Sequence, residues 1–434
     1  MKSKLIIKLF TLILVIILIL NIICITNVKA RDNYAYAACN SDLGTYAQQA
    51  INNANSMYLM LKYNAYSKKD PNKSELWKNL YADVQYFFVH GDWDRIIFPE
   101  TGILAGSGGM WFGLDHIGTD DVNWDTDTIL VTYVGCNTSR DDNYSGISGK
   151  TCERGANLVL GFRNKITNID AMEWSRYYNA ALATGYGVYD AAVYANSQSY
   201  LYDDDEERCV KNNTLWNHGE ANIKIGKYST NSTTSLLGES IYENNILDEN
   251  RNILENSKQV IKIKNIEEIT DILKKYDQSF NEENYTISEN EGFNTINITN
   301  GYVEEHKIIN FQLKIGDFYT NAGYVATINN GVIEAIYDNT KILKNKETKL
   351  SESDFSVSNI TKNKIDNYKQ IARYETIQKL RRINSLNYNI TELTQRFYYN
   401  VETGKKYIVI STEVETQEYN NGKSKGIECS LFEI

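Results

Sequence analysis

The sequence predicts an α/β chain: a parallel-sheet unit with helices on both faces, followed by a smaller α+β unit. Three observations carry this expectation. Short, unbroken runs of β-branched and aromatic residues recur in the first half, as central parallel strands covered on both faces require. Segments with apolar residues at helical spacing lie between and after them, and strand–helix alternation argues for a parallel sheet. Beyond about residue 260 the pattern changes to alternating strands with a hairpin turn signal.

The elements follow in order. Tyr46 to Tyr63 places Ala50, Ile51, Ala54, Met57, Tyr58 and Leu61 at helical spacing. Val84 to Val89, Thr128 to Val134 and Ala156 to Phe162 are the strand candidates. A helix is expected from Asp170 as N-cap, with Glu173 placed for a capping box and Gly185 as its stop. Another runs from about Val188 to Gln198. Residues 39–228 thus form the expected first domain. Residues 229–259 are polar and read as a linker. Residues 260–434 form the expected accessory domain. It opens with a helix over Ile266 to Tyr276, then strands Ile308 to Ile315, Gly323 to Ile328 and Val332 to Tyr337, the last two joined by Asn329-Asn330-Gly331. A long helix from about Lys362 to Asn384 precedes strands Gln395 to Tyr399, Lys406 to Glu415 and Ile427 to Phe432. Helix-then-hairpin occurs twice, a hint of duplication.

The composition excludes several classes. Of 434 residues, 42% are hydrophobic and 23% charged, which is ordinary globular composition and rules out collagen, coiled coil or wholesale disorder. The net charge of -10 repels phosphate, so no nucleic-acid partner is expected. Lys2, Lys4 and Lys8 precede an uncharged, nearly all-apolar stretch from Leu9 to Thr26. Val28-Lys29-Ala30 and Ala35-Tyr36-Ala37 both offer small-residue cleavage sites. This is the layout of a signal peptide over residues 1–30, and it implies a secreted or cell-surface protein. An uncleaved anchor is the alternative, and the one route to a membrane. Cys39, Cys136, Cys152, Cys209 and Cys429 remain after such a cut, and Cys39, Cys152, Cys209 and Cys429 read as buried thiols or as up to two bridges. No C-x-x-C spacing occurs and there are four His, so a zinc site has little support.

The chemistry centres on His90-Gly91 and Gly135-Cys136, each directly after a strand candidate. Carboxyl ends of parallel strands face the ligand crevice of an open sheet. A His on one tip and a Cys on the next can meet there, the imidazole generating the thiolate. The adjacent glycines let backbone N–H groups approach a substrate carbonyl. His116 is an alternative base, expected on a surface loop. His218 and His306 have no local partner in the sequence. Asp120, Asp121, Asp125 and Asp127 form one acidic patch and residues 203–207 another. Both read first as solvated loops, with calcium or a pocket for a basic side chain as the sharper reading. No other cofactor is expected. Gly106-Ser107-Gly108-Gly109 reads as cleft rim, and Ser148-Gly149-Lys150-Thr151 lacks the first Gly of a phosphate loop.

Phe87-Phe88-Val89-His90-Gly91 and Val131-Thr132-Tyr133-Val134-Gly135-Cys136-Asn137-Thr138-Ser139 resemble the caspase-like superfamily of cysteine peptidases, which includes gingipains, clostripain, legumain and the separase-related CHAT domains. Gly155 to Gly161, Trp174 to Gly185, Asp190 to Ala195 and, weakly, His218 to Ile223 are similar to later CHAT elements, so the resemblance spans about residues 80–226. It implies a caspase-like sheet sandwich. It also implies a catalytic His90, a nucleophilic Cys136, and an oxyanion hole of the Gly91 and Cys136 amides. The reaction would be hydrolysis of a protein or peptide substrate through a thioester. Gly135 departs from the common Ala, and Asn137-Thr138-Ser139 from the usual Glu-Thr-Gly or Arg-Gly. Two other functions stay open: a non-catalytic surface-binding protein on the same fold, and an envelope transpeptidase or amidase using the same dyad. Gly323 to Ile336 resembles the strand–turn–strand of PepSY-like domains.

Overall fold

A computed structural model describes residues 33–434 except 107–109, 112–113, 125–127, 141–144, 200–211, 230–264, 291–292, 341–351, 383–387, 402 and 418–422. The leader, nearly all of the expected linker, the acidic run at 203–207, Asp125, Asp127 and Cys209 lie outside the described residues.

The chain is α/β. In order, it forms β1 (Tyr34–Cys39), α1 (Gly44–Met60), β2 (Asn64–Lys69), α2 (Lys73–Asn79) and β3 (Val84–Phe88). Five short strands follow: β4 (His90–Asp92), β5 (Arg95–Ile97), β6 (Thr101–Leu104), β7 (Met110–Trp111) and β8 (Leu114–Gly118). Then come β9 (Leu130–Val134), α3 (Ile147–Glu153), β10 (Leu158–Phe162), α4 (Asn168–Ala183), α5 (Val188–Gln198) and β11 (Asn213–Asn217). The strands β2-β1-β3-β9-β10 pair in parallel in that order, and β11 adds antiparallel to β10.

The unbroken apolar runs are explained by burial on both sides. Ala35, Ala37, Val84, Tyr86, Phe88, Leu130 and Leu158 face α1, α4 and α5. Their alternates Tyr36, Ala38, Phe87, Val131, Tyr133 and Val159 face α2, α3 and the β5–β8 region. Successive residues of a strand point to opposite faces, so a strand apolar at every position belongs inside a three-layer stack.

The remaining elements are α6 (Ile266–Tyr276), β12 (Tyr285–Asn290), β13 (Asn294–Asn297), β14 (Tyr302–Ile315), β15 (Phe318–Asn329), β16 (Val332–Asp338), α7 (Lys362–Arg382), β17 (Tyr388–Asn400), β18 (Lys405–Gln417) and β19 (Lys423–Glu433). Asn330 and Gly331 both have positive φ, the turn that Asn-Gly favours between β15 and β16. Ile269 and Leu273 of α6 pack on Phe311, Tyr324 and Ile336. Ala372 of α7 packs on Ile408 and Ile410, and Tyr368 stacks on Phe432 at 4.2 Å. A helix on an antiparallel meander therefore recurs, the two joined by the parallel pair β15–β17. This part meets the first sheet through β11–β13 and through β19–β4.

Several expectations are corrected. The sheet begins at Tyr34, before the boundary placed at residue 39, because Tyr34–Cys39 is its inner strand β1. Ala35, Tyr36 and Ala37 are fully buried in that strand. The helix N-cap is Thr167, not Asp170: the Thr167 hydroxyl accepts from the Asp170 N–H at 3.1 Å and donates to its carboxylate at 2.8 Å. Of the two readings of the cysteines, the buried thiol holds at Cys39, Cys152 and Cys429, and neither these three nor Cys136 is in a disulfide. His116 is not on a surface loop; it lies buried in β8, where desolvation pulls it below the ordinary histidine range. His218 and His306, without local partners, are held by residues distant in the sequence, as structural histidines are. His218 meets the Cys152 carbonyl at 2.7 Å. His306 is buried 3.1 Å from the Tyr189 hydroxyl and 3.3 Å from Glu334.

Candidate functional site

The parallel register sets the geometry of the two motifs. Phe88 pairs with Val134, and the Val89 N–H donates to the Val134 carbonyl at 3.0 Å. The next residues, His90 and Gly135-Cys136, therefore leave the sheet side by side. A β-carbon on Gly135 would stand 2.8 Å from the Val89 carbonyl and 3.5 Å from the Gly91 nitrogen. One on Gly91 would stand 3.0 Å from the Cys136 carbonyl and 2.7 Å from Thr138 Cγ2. The two tips touch only because both positions are glycine.

After Cys136 the chain turns sharply. Asn137 takes φ 56°, the left-handed conformation that Asn tolerates better than most residues. The turn is pinned to β10. Its Thr138 hydroxyl accepts from the Phe162 N–H at 3.0 Å, and the Ser139 N–H donates to the Phe162 carbonyl at 2.8 Å. Trp216 Nε1 donates to the Ser139 hydroxyl at 3.2 Å. Gly161 completes the seat, since a β-carbon there would stand 2.4 Å from the hydroxyls of Ser139 and Ser148.

His90 and Cys136 line one cleft of about 250 Å³ of empty space, partly open to solvent. Its floor is Phe88, Val134 and Gly135. Its far wall is the start of α4, from Ile166 to Ala171. His90 is half-buried, and Cys136 is buried with 4% of its surface exposed. The Ile166 N–H donates to Cys136 Sγ at 3.3 Å. The Cys136 thiol donates in turn to the Ile166 carbonyl at 3.5 Å, so both backbone groups of Ile166 hold the sulfur. This contribution was missed in the sequence, although the Thr167-x-x-Asp170 capping pattern marks the helix start beside it. Ile427 of β19 closes the cleft from the C-terminal side.

The other candidates lie elsewhere. His116 pairs with Gly102 between β6 and β8 and does not line the cleft. Asp120 holds Arg154, and the Asp121 carboxylate accepts from the Gly118 N–H at 3.0 Å. Both acids are thus tied to local structure. Among the described residues no group of three His, Cys, Asp or Glu is gathered as a metal site. A second hollow of about 290 Å³ between α1 and α4 is lined by Ser56, Met57, Arg176 and Asn179, with neither Cys nor His among its lining residues. Among the described residues no helix is long and apolar enough to cross a membrane. No protein-family model matches the chain, and no curated protein matches it at a significant level.

Proposed function

We propose that the chain is an exported cysteine peptidase of caspase-like fold, with His90 and Cys136 as its dyad and residues 260–434 as an accessory domain. The observation that supports it best is the meeting of His90 and Cys136 in one cleft at the carboxyl ends of adjacent parallel strands. In this reading His90 takes the thiol proton, and Cys136 Sγ attacks the scissile carbonyl. The Gly91 and Cys136 N–H groups receive the oxyanion. The tetrahedral intermediate collapses to a thioester as His90 returns the proton to the departing amine. Water, deprotonated by His90, then releases the acid and the thiol. The Ile166 N–H holds the sulfur toward the cleft.

The test is peptide-library cleavage by the full chain and by its Ile427→Gly variant, which removes the C-terminal wall of the cleft. Cys136→Ala should abolish turnover, and His90→Ala should lower it by about 10²–10⁴-fold, the range for loss of a general acid–base. Cleavage indifferent to both substitutions removes the dyad. If no peptide is cut and Cys136 in the native protein alkylates no faster than after His90→Ala, the fold is a binding scaffold instead.

A further inference from the structure

We infer that β19 is an intramolecular plug of the His90–Cys136 cleft, so that the chain is made latent and an extended polypeptide reaches the sulfur only when β19 withdraws. The inference rests on the peptidase reading for its meaning, but its physical content, occlusion of a thiol, is separate.

Five observations carry it. β19 touches both walls of the cleft. Lys425 pairs with Gly91 on β4, and Ile427 bridges Thr167 at the head of α4. Ile427 is 2% exposed and its side chain lines the cleft beside Cys136. The next two residues are clamped by one side chain: Asn168 Oδ1 accepts from the Cys429 N–H at 2.7 Å, and its amide donates to Glu428 at 3.2 Å. On the neighbouring strand, Glu413 makes a 2.9 Å ion pair with Lys165, both largely buried. Cys136 is 4% exposed, enclosed by Ile427 together with Phe88, Val134 and Ile166.

The plug is also of the right kind to be exchanged. β19 is held along its length by β18, from Tyr407–Glu433 to Gln417–Lys423, so it belongs to the C-terminal meander and leaves with it. Its hold is one backbone pair, one bridge, the Ile427 side chain, two polar clamps and a small apolar cluster of Cys429 and Leu431 with Ile169 of α4. An extended peptide can offer the same strand pairing to β4, which is how strands add to a sheet edge. A folded surface without a free strand cannot.

The experiment measures alkylation of Cys136 by iodoacetamide in the full chain, followed by mass spectrometry of its peptide. Ile427→Gly removes the plug side chain. Glu413→Gln with Glu428→Gln weakens the clamps without touching it. Each should raise the Cys136 rate at least about tenfold, as expected when an opening equilibrium gates the thiol. Adding His90→Ala to either should cancel most of the gain. Cys39, which shares a core with Cys136 but does not line the cleft, and Cys152 in the other core report unfolding, since they label only if the sheet opens. Rates within about twofold of the unmodified chain in both variants would overturn the plug, because gating must respond to a weakened latch. The peptidase reading would then stand or fall on whether His90→Ala slows labelling of the otherwise native chain. A gain that ignores His90 would keep the plug and remove the dyad.

Discussion

Gly161 is the residue on which the nucleophile turn rests. Three hydroxyls, from Thr138, Ser139 and Ser148, crowd the point where its side chain would begin. Gly161→Ala forces the turn off β10. The expected cost is about 1–3 kcal/mol in urea unfolding, the usual range for overpacking a close-packed interior. If the variant unfolds with an unchanged midpoint, the turn is not seated there. The thiols divide in the same local terms. Burial pushes Cys39 and Cys429 up to about 12 and raises Cys152 as well, so these three are inert near neutral pH. Cys136 differs in having a cleft in front of it. The His-Gly and Gly-Cys pairs were legible as letters because glycine next to a reactive residue at a strand end is a local signal. Ile166 and Gly161 were not. Their roles depend on which strand lies alongside, and that is decided by the whole sheet.

At the scale of elements, α4 does two jobs. It covers one face of the sheet with Trp174, Tyr178 and Leu182, and its first turn forms a wall of the cleft. Thr167→Ala removes the N-cap and should cost about 1 kcal/mol, the typical value for such a cap. It should also change the reactivity of Cys136, since Ile166 precedes the cap. A stability loss with no change at the thiol would separate the wall from the site. The helices were readable almost to the residue where spacing and caps agree: Val188–Gln198 and Ile266–Tyr276 match their expected spans. The cap of α4 was misread because Asp170 also suits an N-cap, and only the Thr167 hydroxyl contact decides between them. β2, with its Asn, Ser and Lys residues, escaped notice because an edge strand buries too little to need an apolar run.

Over the whole molecule, the two halves are tied at sites with unlike chemistry. One is the β19 contact. Another is a polar knot where Tyr189 of α5 meets His306 of β14 and Glu334 of β16. Burial by itself would raise the Glu334 carboxyl, but hydrogen bonds and charge from His306 hold it below its ordinary value. A carboxylate held low in the fold adds stability above its unfolded pKa and loses it as pH falls through the folded one. Glu334→Gln should therefore flatten the acid side of the stability curve between about pH 5 and 3, where carboxylates titrate. An equally steep curve in the variant would mean that the knot does not report on folding. None of this junction was legible in the sequence. The partners are 117 and 145 residues apart, and no local pattern announces a contact of that separation.

The chain order of β19 has a consequence for synthesis. A ribosome delivers every cleft-forming residue from Leu43 to Ala171 before it delivers Ile427, more than 250 positions later. A nascent polypeptide whose sheet has already closed would for that interval carry a bare sulfur beside an imidazole, with nothing yet laid across them.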